Sequence, residues 1–405
     1  MRGPLDGFRI LDLTSMISGP TATMVLADQG AEVIKLERPD GGDHTRQVST
    51  RRAGMSASFV NNNRNKRSIA LDLKQPDAVA AALRIAARCD VVVQNFRPGV
   101  AERMGLGEAA LRTVRPDIVY VSISGFGEDG PYAQKPVYDP LIQAVSGLTT
   151  VQAGSDDARP RLVRTIVPDK LTGHVAAQAI TAALLQRART GEGQHVRLSM
   201  LDAVIAFLWG SDMGGHTFVG DELRQETAQS FIDLIYETAD GYISVAVQSD
   251  KEWHALVTAF GTTQWLDDPR FRTAYDRARN IDARLALTQD VLLTDTAGNW
   301  LKRLEAAGVP CAPVLTRREM IRHPQVAANA IVMEVDHPAA GRLRQARPAA
   351  RFSAAPFPEP MPAPVLGADT RAVLREAGLD AGAIDALVTA GAAHDGAEAE
   401  SGAAA

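Results

Sequence analysis

Short apolar runs alternate with longer stretches in which apolar residues recur every three or four positions, and this rhythm fills the first half of the chain. Phe8 to Leu13 (FRILDL) predicts a buried strand, ended by Thr14-Ser15-Met16-Ile17-Ser18-Gly19-Pro20. Thr21 to Gln29 then predicts a helix and Ala31 to Glu37 a second strand. Strand, helix and strand in so short a span make a βαβ unit and imply a parallel sheet. The pattern continues with a strand over Ser68 to Leu73, a helix over Pro76 to Cys89, and a fully buried strand over Val91 to Asn95. A short helix closing at Leu111-Arg112 precedes a strand over Ile118 to Ile123. The expected fold class is α/β, a Rossmann-like open parallel sheet covered by helices on both faces.

The texture changes near Asp212. A polar connection running to Gln229 leads to two strand-like runs, Leu234 to Glu237 and Tyr242 to Val247, around Ala239-Asp240-Gly241, which predicts a hairpin. Helical patterns follow over Asp250 to Phe260, Arg284 to Leu293 and Thr296 to Ala307, then a strand entry at Gly308 to Val314. The expected organisation is a large α/β domain over 1–212, a linker over 213–224 and a smaller α+β domain over 225–330. A return segment over 331–390 opens with a strand from Ile331 to His337 and closes with helices over Thr370 to Ala377 and Ala381 to Thr389. The low-complexity tail over 391–405 is expected to be disordered.

Composition narrows the class. At 405 residues, 45% hydrophobic and 22% charged, the chain is an ordinary globular protein of roughly two to three domains. A net charge of -5 argues against a dedicated nucleic-acid binder. Two isolated cysteines, Cys89 and Cys311, give neither a disulfide framework nor a structural zinc site. The eight histidines form no HxxxH or HxH pair, so no metal is expected. The start has no secretory h-region, and no apolar run reaches membrane-spanning length. The expectation is a cytoplasmic enzyme.

The candidate chemistry centres on Val167-Pro168-Asp169-Lys170-Leu171-Thr172-Gly173-His174. Leu162 to Val167 predicts a strand ended by Pro168, and an Ala-rich helix follows. Asp169 reads either as that helix's N-cap or as a carboxylate nucleophile presented beside free backbone donors. The segment by itself favours the cap. Gly125-Phe126-Gly127-Glu128-Asp129-Gly130 matches GxGxxG after a strand, but Pro131 follows where a helix must begin, so a surface turn is preferred to a dinucleotide site. The run Asn61 to Ser68 (NNNRNKRS) is a solvated loop or a phosphate-holding one. Asn95-Phe96-Arg97 stands at the end of a buried strand, with Arg103-Met104 shortly after and Arg38 ending the second strand. Three arginines and one aromatic at strand ends suit a ligand with an adenine ring and several phosphates.

Several ordered motifs together resemble the family III CoA-transferases. They are PLDGFRILDLT, NKRSIALDLK, NFRPGVAERMGL, SISGFGEDGPY, PDKLTG, TGEGQHVRLSMLDA, GVPCAPV and PVLGADT, and they cover nearly the whole chain. The resemblance implies that Asp169 attacks an acyl-CoA thioester to form a mixed anhydride and then an aspartyl-CoA thioester, completed by an acceptor carboxylate. It implies coenzyme A contacts at Ile17, Ser18, Arg38, Leu71, Asp72, Leu73, Lys74, Asn95, Phe96, Arg97, Arg103, Met104, Val137, Tyr138 and Asp139. Coenzyme A and acyl-CoA enter as substrates beside a small carboxylic acid, with no permanently bound cofactor. An interlocked ring homodimer is implied.

Two departures bear on substrate. Oxalate-handling members carry glutamine where Ile17 stands and a glycine-run loop absent here, which argues against formate and oxalate as the substrate pair. The related α-methylacyl-CoA racemases place a histidine-aspartate pair where this chain has Tyr138-Asp139. Tyrosine, with a pKa near 10, is a poor base at neutral pH beside a histidine, which disfavours racemisation. A catalytically silent CoA-binding subunit is the third reading, and an intact Asp169 argues against it. Arg164 and His216 are candidate partners for a substrate carboxylate, with surface roles equally consistent.

Overall fold

The computed structural model describes residues 3–48, 50–220, 234–355 and 360–396. The chain divides into two compact units, one of Met1–Thr150, Pro160–Glu222 and Ala330–Ala405, the other of Val151–Arg159 and Leu223–Asn329.

The larger unit begins with β1 (Arg9–Asp12), α1 (Ser18–Asp28) and β2 (Glu32–Glu37). A two-strand hairpin, β3 (Arg51–Arg52) and β4 (Met55–Ser56), leads to α2 (Ala57–Asn62). Then come β5 (Lys66–Leu71), α3 (Pro76–Ala86), β6 (Val91–Gln94), α4 (Val100–Arg103), α5 (Glu108–Val114) and β7 (Val119–Ser124). Helices α6 (Asp139–Val145) and α7 (Leu148–Ala153) precede the long α8 (Val167–Thr190), followed by β8 (His195–Ser199) and α9 (Met200–Trp209). The six strands β5-β2-β1-β6-β7-β8 lie side by side in that order, every neighbouring pair parallel. Counted along the chain this is the order 3-2-1-4-5-6, whose direction reverses between β1 and β6.

Both faces are buried. Leu11, Ile34, Ile69, Val92 and Tyr120 share one core with apolar side chains of α3. Ile10, Val33, Val91, Val93 and Val121 share the other with side chains of α1 and α8. That second face also carries polar and charged side chains. Asp12, Lys35, Glu37, Lys66 and Ser68 are buried there, at alternating positions of β1, β2 and β5.

The smaller unit holds a sheet ordered β11-β10-β9, built from β9 (Ile235–Glu237), β10 (Tyr242–Val245) and, after the helices, β11 (Cys311–Pro313). The β9–β10 hairpin turns at Asp240-Gly241 as its sequence predicts. The helices α10 (Asp250–Phe260), α11 (Ala274–Arg279), α12 (Ile281–Leu292) and α13 (Ala297–Ala306) enclose a core that includes Trp253, Trp265, Phe271 and Trp300. The short helices α14 (Arg317–Met320) and α15 (Pro324–Ala328) end this unit.

The return segment forms an antiparallel hairpin of β12 (Val332–His337) and β13 (Gly341–Ala346), then α16 (Thr370–Glu376) and α17 (Ala381–Thr389). The expectation of disorder from residue 391 is corrected. β14 (Ala393–His394) pairs antiparallel with β5 and closes that edge of the main sheet, because Ala392 and Ala393 are small and apolar enough to join the core. Residues 397–405, and residues 221–229 of the expected polar connection, lie outside the described residues. No described helix is long and apolar enough to cross a membrane.

Candidate active site

Helix α8 opens on Val167-Pro168-Asp169 with Ile166 as its N-cap. Pro168 fits the first turn because its missing N–H would have no partner inside the helix. The strand expected over Leu162 to Val167 does not form. The Val163 N–H instead donates to Gln143 Oε1 (2.9 Å), and Gln143 Nε2 lies 3.4 Å from both the Val163 and Thr165 carbonyl oxygens. One buried amide therefore serves the backbone that a neighbouring strand would have served.

Asp169 does not cap its own helix. The backbone N–H of Ser18, the first residue of α1, favours the charged form of its half-buried carboxylate. Burial and then the charge of Asp139 push the Asp169 carboxyl up to about 6, against the lowering influence of that N–H. Asp139, the first residue of α6, is buried; Gln143 Nε2 donates to its Oδ1 (2.6 Å) and the Asp169 N–H approaches its Oδ2 (3.4 Å). Burial raises the Asp139 carboxyl as well, with the Gln143 bond opposing. Two carboxyl groups thus share one partly dry site.

Segment 14–18, which delivers Ser18, is held residue by residue. Asp12 Oδ1 accepts the Thr14 N–H (2.9 Å) and hydroxyl (2.5 Å). Asn95 accepts the Ser15 N–H (3.0 Å) and donates to the Ser15 carbonyl (2.8 Å), joining the ends of β1 and β6 at the point where the strand order reverses. Met16 adopts φ +69°, and its N–H donates to Asp43 Oδ1 (3.1 Å). Lys35 Nζ donates to the Thr14 carbonyl (2.9 Å) and to Asp43 Oδ2 (3.0 Å). Lys66 Nζ meets Asp12 (3.0 Å), the Pro20 carbonyl (2.9 Å) and Asn63 Oδ1 (2.8 Å), while Arg46 forks onto Glu37 (2.8 and 2.7 Å). Burial works against the Lys35 ammonium, but Asp12, Asp43 and Glu37 outweigh it and hold its pKa above the usual lysine value. Asp43 is correspondingly held low.

A cavity of about 450 Å³ opens over the carboxyl ends of β1, β2 and β5 and the start of the loop after β6. Its walls include Thr14 and Ser15, Arg38, Leu71 to Lys74, and Phe96 with Met104. In an open parallel sheet this crevice is where ligands bind. Lys74, Arg97 and Arg103 are exposed and carry no ion pair among the described residues, while Arg38 donates from Nε to the Gly42 carbonyl (3.1 Å).

The model of CoA-transferase family III matches residues 5–370. The chain belongs to that family. It is 34% identical to the succinyl-CoA:glutarate CoA-transferase of Mus musculus, over 96% of this chain and 90% of that one. It is 33% identical to the succinate–glutarate CoA-transferase of Agrobacterium fabrum, over 92% and 95%. Among solved structures, Rv3272 from M. tuberculosis superimposes with a TM-score of 0.80 at 32% identity, covering 91% of this chain and 98% of that one. The protein is a CoA-transferase.

In this family III chain most of the residues singled out from sequence, though not Asn95, Arg97, Arg103 or Val137, fall into two groups. Arg38, Leu71, Asp72, Leu73, Lys74, Phe96 and Met104 line the cavity. Ser18 and Asp139 adjoin Asp169, with Ile17 as the N-cap of α1 and Tyr138 as the N-cap of α6. Val137 packs where a Cβ on Gly125 would come within 2.4 Å of it. Segment 14–18 joins the groups, since Thr14 and Ser15 line the cavity and Ser18 reaches Asp169. Asp72 lines the cavity, but its carboxylate accepts from the Lys74 N–H (3.2 Å) and Gln75 Nε2 (3.2 Å). Its part there is to shape the turn into α3.

The run from Asn61 to Ser68 is corrected outright, being neither a solvated nor a phosphate-binding loop. Arg64 and Lys66 are buried and answer the internal carboxylates Asp28 and Asp12, and Arg67 pairs with Glu32 and Glu376. Buried carboxylates require such partners, and the sequence does not display which carboxylates face inward. Arg164, His174 and His216 are exposed.

Sequence reasoning missed one further constellation. Glu108 Oε2 lies 2.8 Å from His195 Nδ1, His195 Nε2 lies 2.7 Å from Ser122 Oγ, and Gln94 Nε2 donates to the same Oγ (3.0 Å). Gln94 Oε1 in turn accepts the Phe96 N–H (2.8 Å). Ser122 is buried and saturated by these bonds, so the chain of contacts ends on a cavity wall, Phe96, and braces it. Residues 73 positions apart give no local motif for it.

Proposed function

We propose that this enzyme moves coenzyme A from a dicarboxylic acyl-CoA, of the succinyl-CoA kind, to a second small dicarboxylic acid through covalent intermediates on Asp169. The observation that carries the reading is Asp169 itself. It is a carboxylate at the start of α8 beside the Ser18 N–H, raised to about 6 and still ionised at neutral pH. Its Oδ attacks the thioester carbonyl and the CoA thiolate leaves, giving a mixed anhydride. The thiolate then attacks the aspartyl carbonyl and releases the donor as a free carboxylate. The acceptor carboxylate attacks the resulting aspartyl-CoA carbonyl, and the thiolate displaced returns to the acceptor's acyl carbon, regenerating Asp169. No proton changes hands, so a carboxylate of leaving ability similar to the substrate's is the fitting carrier. The Ser18 N–H would stabilise charge on the tetrahedral oxygens.

The cavity supports the remaining assignments. Phe96 and Met104 offer apolar surface to an adenine ring, and Arg38, Lys74, Arg97 and Arg103 offer charge to phosphates. The names of the two relatives support succinate and glutarate as the substrate class. A homodimer is part of the same reading, supported by the exposed Leu141 and Val145 on α6, Leu185 on α8, and Phe207 and Trp209 on α9. Two free cysteines fit the reducing conditions of a cytoplasmic setting.

The decisive experiment is mass spectrometry after incubation with succinyl-CoA and trapping by hydroxylamine or borohydride. Modification of the peptide containing Asp169, absent in Asp169→Ala, is the expected result. No adduct, with solvent deuterium entering the α-carbon of a 2-methylacyl-CoA instead, would sink the transferase mechanism.

A further inference from the structure

We propose that the buried ion pair Lys35–Asp43 is a positioning device, holding segment 14–18 in the one shape that directs the Ser18 N–H at the Asp169 carboxylate. The proposal deepens the reading above and rests on it only for what Asp169 does once positioned.

The first support is backbone geometry. Met16 holds φ +69°, a region a residue with a long unbranched side chain seldom enters, and Met has no polar group to stabilise it locally. Such a conformation persists only where the surroundings impose it. The imposing groups are identifiable. Asp43 Oδ1 takes the Met16 N–H together with the Thr45 N–H (2.9 Å) and hydroxyl (2.9 Å). Its other oxygen takes Lys35, which also grips the Thr14 carbonyl. The residues on either side of Ser15 are therefore tied to one ion pair, and Ser15 itself to Asn95.

The second support is the placement of the pair. The Lys35 side chain is fully buried and that of Asp43 nearly so. Replacing a buried pair by apolar groups is often neutral for stability, so its presence here is better explained by the geometry it fixes. What it fixes leads into the first residue of α1, whose N–H meets Asp169. The other group bearing on Asp169 is Asp139, whose own charge is influenced by Lys170.

Two readouts test this. Carboxyl-carbon NMR of Asp169, assigned with Asp169→Asn, follows its titration without any substrate. Losing the Ser18 N–H removes a bond to the charged form, so in Asp43→Asn and Lys35→Met the midpoint should rise by about one pH unit. Adduct formation with succinyl-CoA should slow by about 100-fold, the scale expected for a misplaced reacting group. Met16→Gly is the second arm, since glycine accepts the positive φ and keeps the fold while loosening the segment. It should slow adduct formation by about tenfold with Tm unchanged or raised. An unmoved midpoint in folded Asp43→Asn and Lys35→Met would overturn the proposal. Should those two fail to fold, an unmoved midpoint and rate in Met16→Gly would overturn it. A wild-type protein that forms no adduct would refute the covalent mechanism, while the titrations would still decide the positioning role.

Discussion

Gly173 lies so close to Ser18 that a Cβ at position 173 would stand 2.8 Å from the Ser18 carbonyl oxygen and 2.8 Å from Thr21 Cβ. The two residues belong to α8 and α1, and Gly173 sits one turn beyond Asp169, whose charged form the Ser18 N–H favours. A missing side chain on one helix thus sets how near the donor on the other can come.

Gly173→Ala should therefore push α1 away from α8. Overpacking of this kind lowers stability by about 1–3 kcal/mol, which differential scanning calorimetry would read. Helix propensity works the other way, by about 1 kcal/mol in favour of alanine, so the net loss is smaller than the clash alone suggests. Adduct formation should fall by more than the stability change implies. A variant with wild-type trapping kinetics would show that the close approach is only packing.

The pKa of Asp169 links chemistry to stability. Its ordinary value is 3.8, and the folded chain holds it near 6, so the folded state keeps the proton more tightly. Stability then falls as pH rises through that window, and the full deficit is present above about pH 6. The ceiling is about 3 kcal/mol, reduced to about 1–2 kcal/mol because the carboxylate is partly solvated. Asp169→Asn should accordingly raise Tm at pH 7.5, with the advantage fading below about pH 4, where aspartate is protonated in both states. A Tm equal to wild type at both pH values would mean that the site is wetter than its burial indicates.

On the proposed mechanism the same titration sets the acid limb of activity. Attack on the thioester needs the carboxylate, so kcat/KM should fall about tenfold per pH unit below about pH 6. Removing the neighbouring charge with Asp139→Asn should shift that limb downward, since the Coulomb contribution of Asp139 raises Asp169. An upward shift would mean that Asp139 acts mainly by holding the Asp169 N–H.

How far all this could be read beforehand depends on what each residue shows locally. The strands of the large unit were legible because runs such as FRILDL and VVVQN are apolar enough to demand burial from both faces. The position of Asp169 was legible as well, but its partner was not. Ser18 is 151 positions away by number, and nothing in PDKLTG says which helix start will face it. The strand expected over Leu162 to Val167 failed because Gln143 satisfies that backbone, a tertiary contact invisible to periodicity. Lys66 read as part of a solvated or phosphate-holding loop for the same reason, and nothing local in the sequence marks Lys35 and Asp43 as a buried pair. Charge marks a residue as polar, and only the fold shows that its counter-charge is inside. β8 (HVRLS) alternates weakly at the sheet edge and went unpredicted, and with it the meeting of His195 and Ser122.

That meeting yields the last prediction. The Ser122–His195 contact orients Gln94, and Gln94 holds the Phe96 N–H at the cavity wall. Gln94→Leu keeps the volume but leaves the Phe96 N–H and the Ser122 hydroxyl short of a partner. If Phe96 packs on the adenine ring, the loosened wall should weaken coenzyme A binding and raise KM for acyl-CoA by about 5–30-fold, corresponding to about 1–2 kcal/mol of lost contact. The turnover number should stay within about threefold of wild type, because Asp169, Ser18 and Asp139 are untouched. Isothermal titration with coenzyme A and steady-state kinetics separate the two. A fall in kcat at constant KM would place the relay in service of the reacting carboxylate instead, and would move the nucleotide to another part of the cavity.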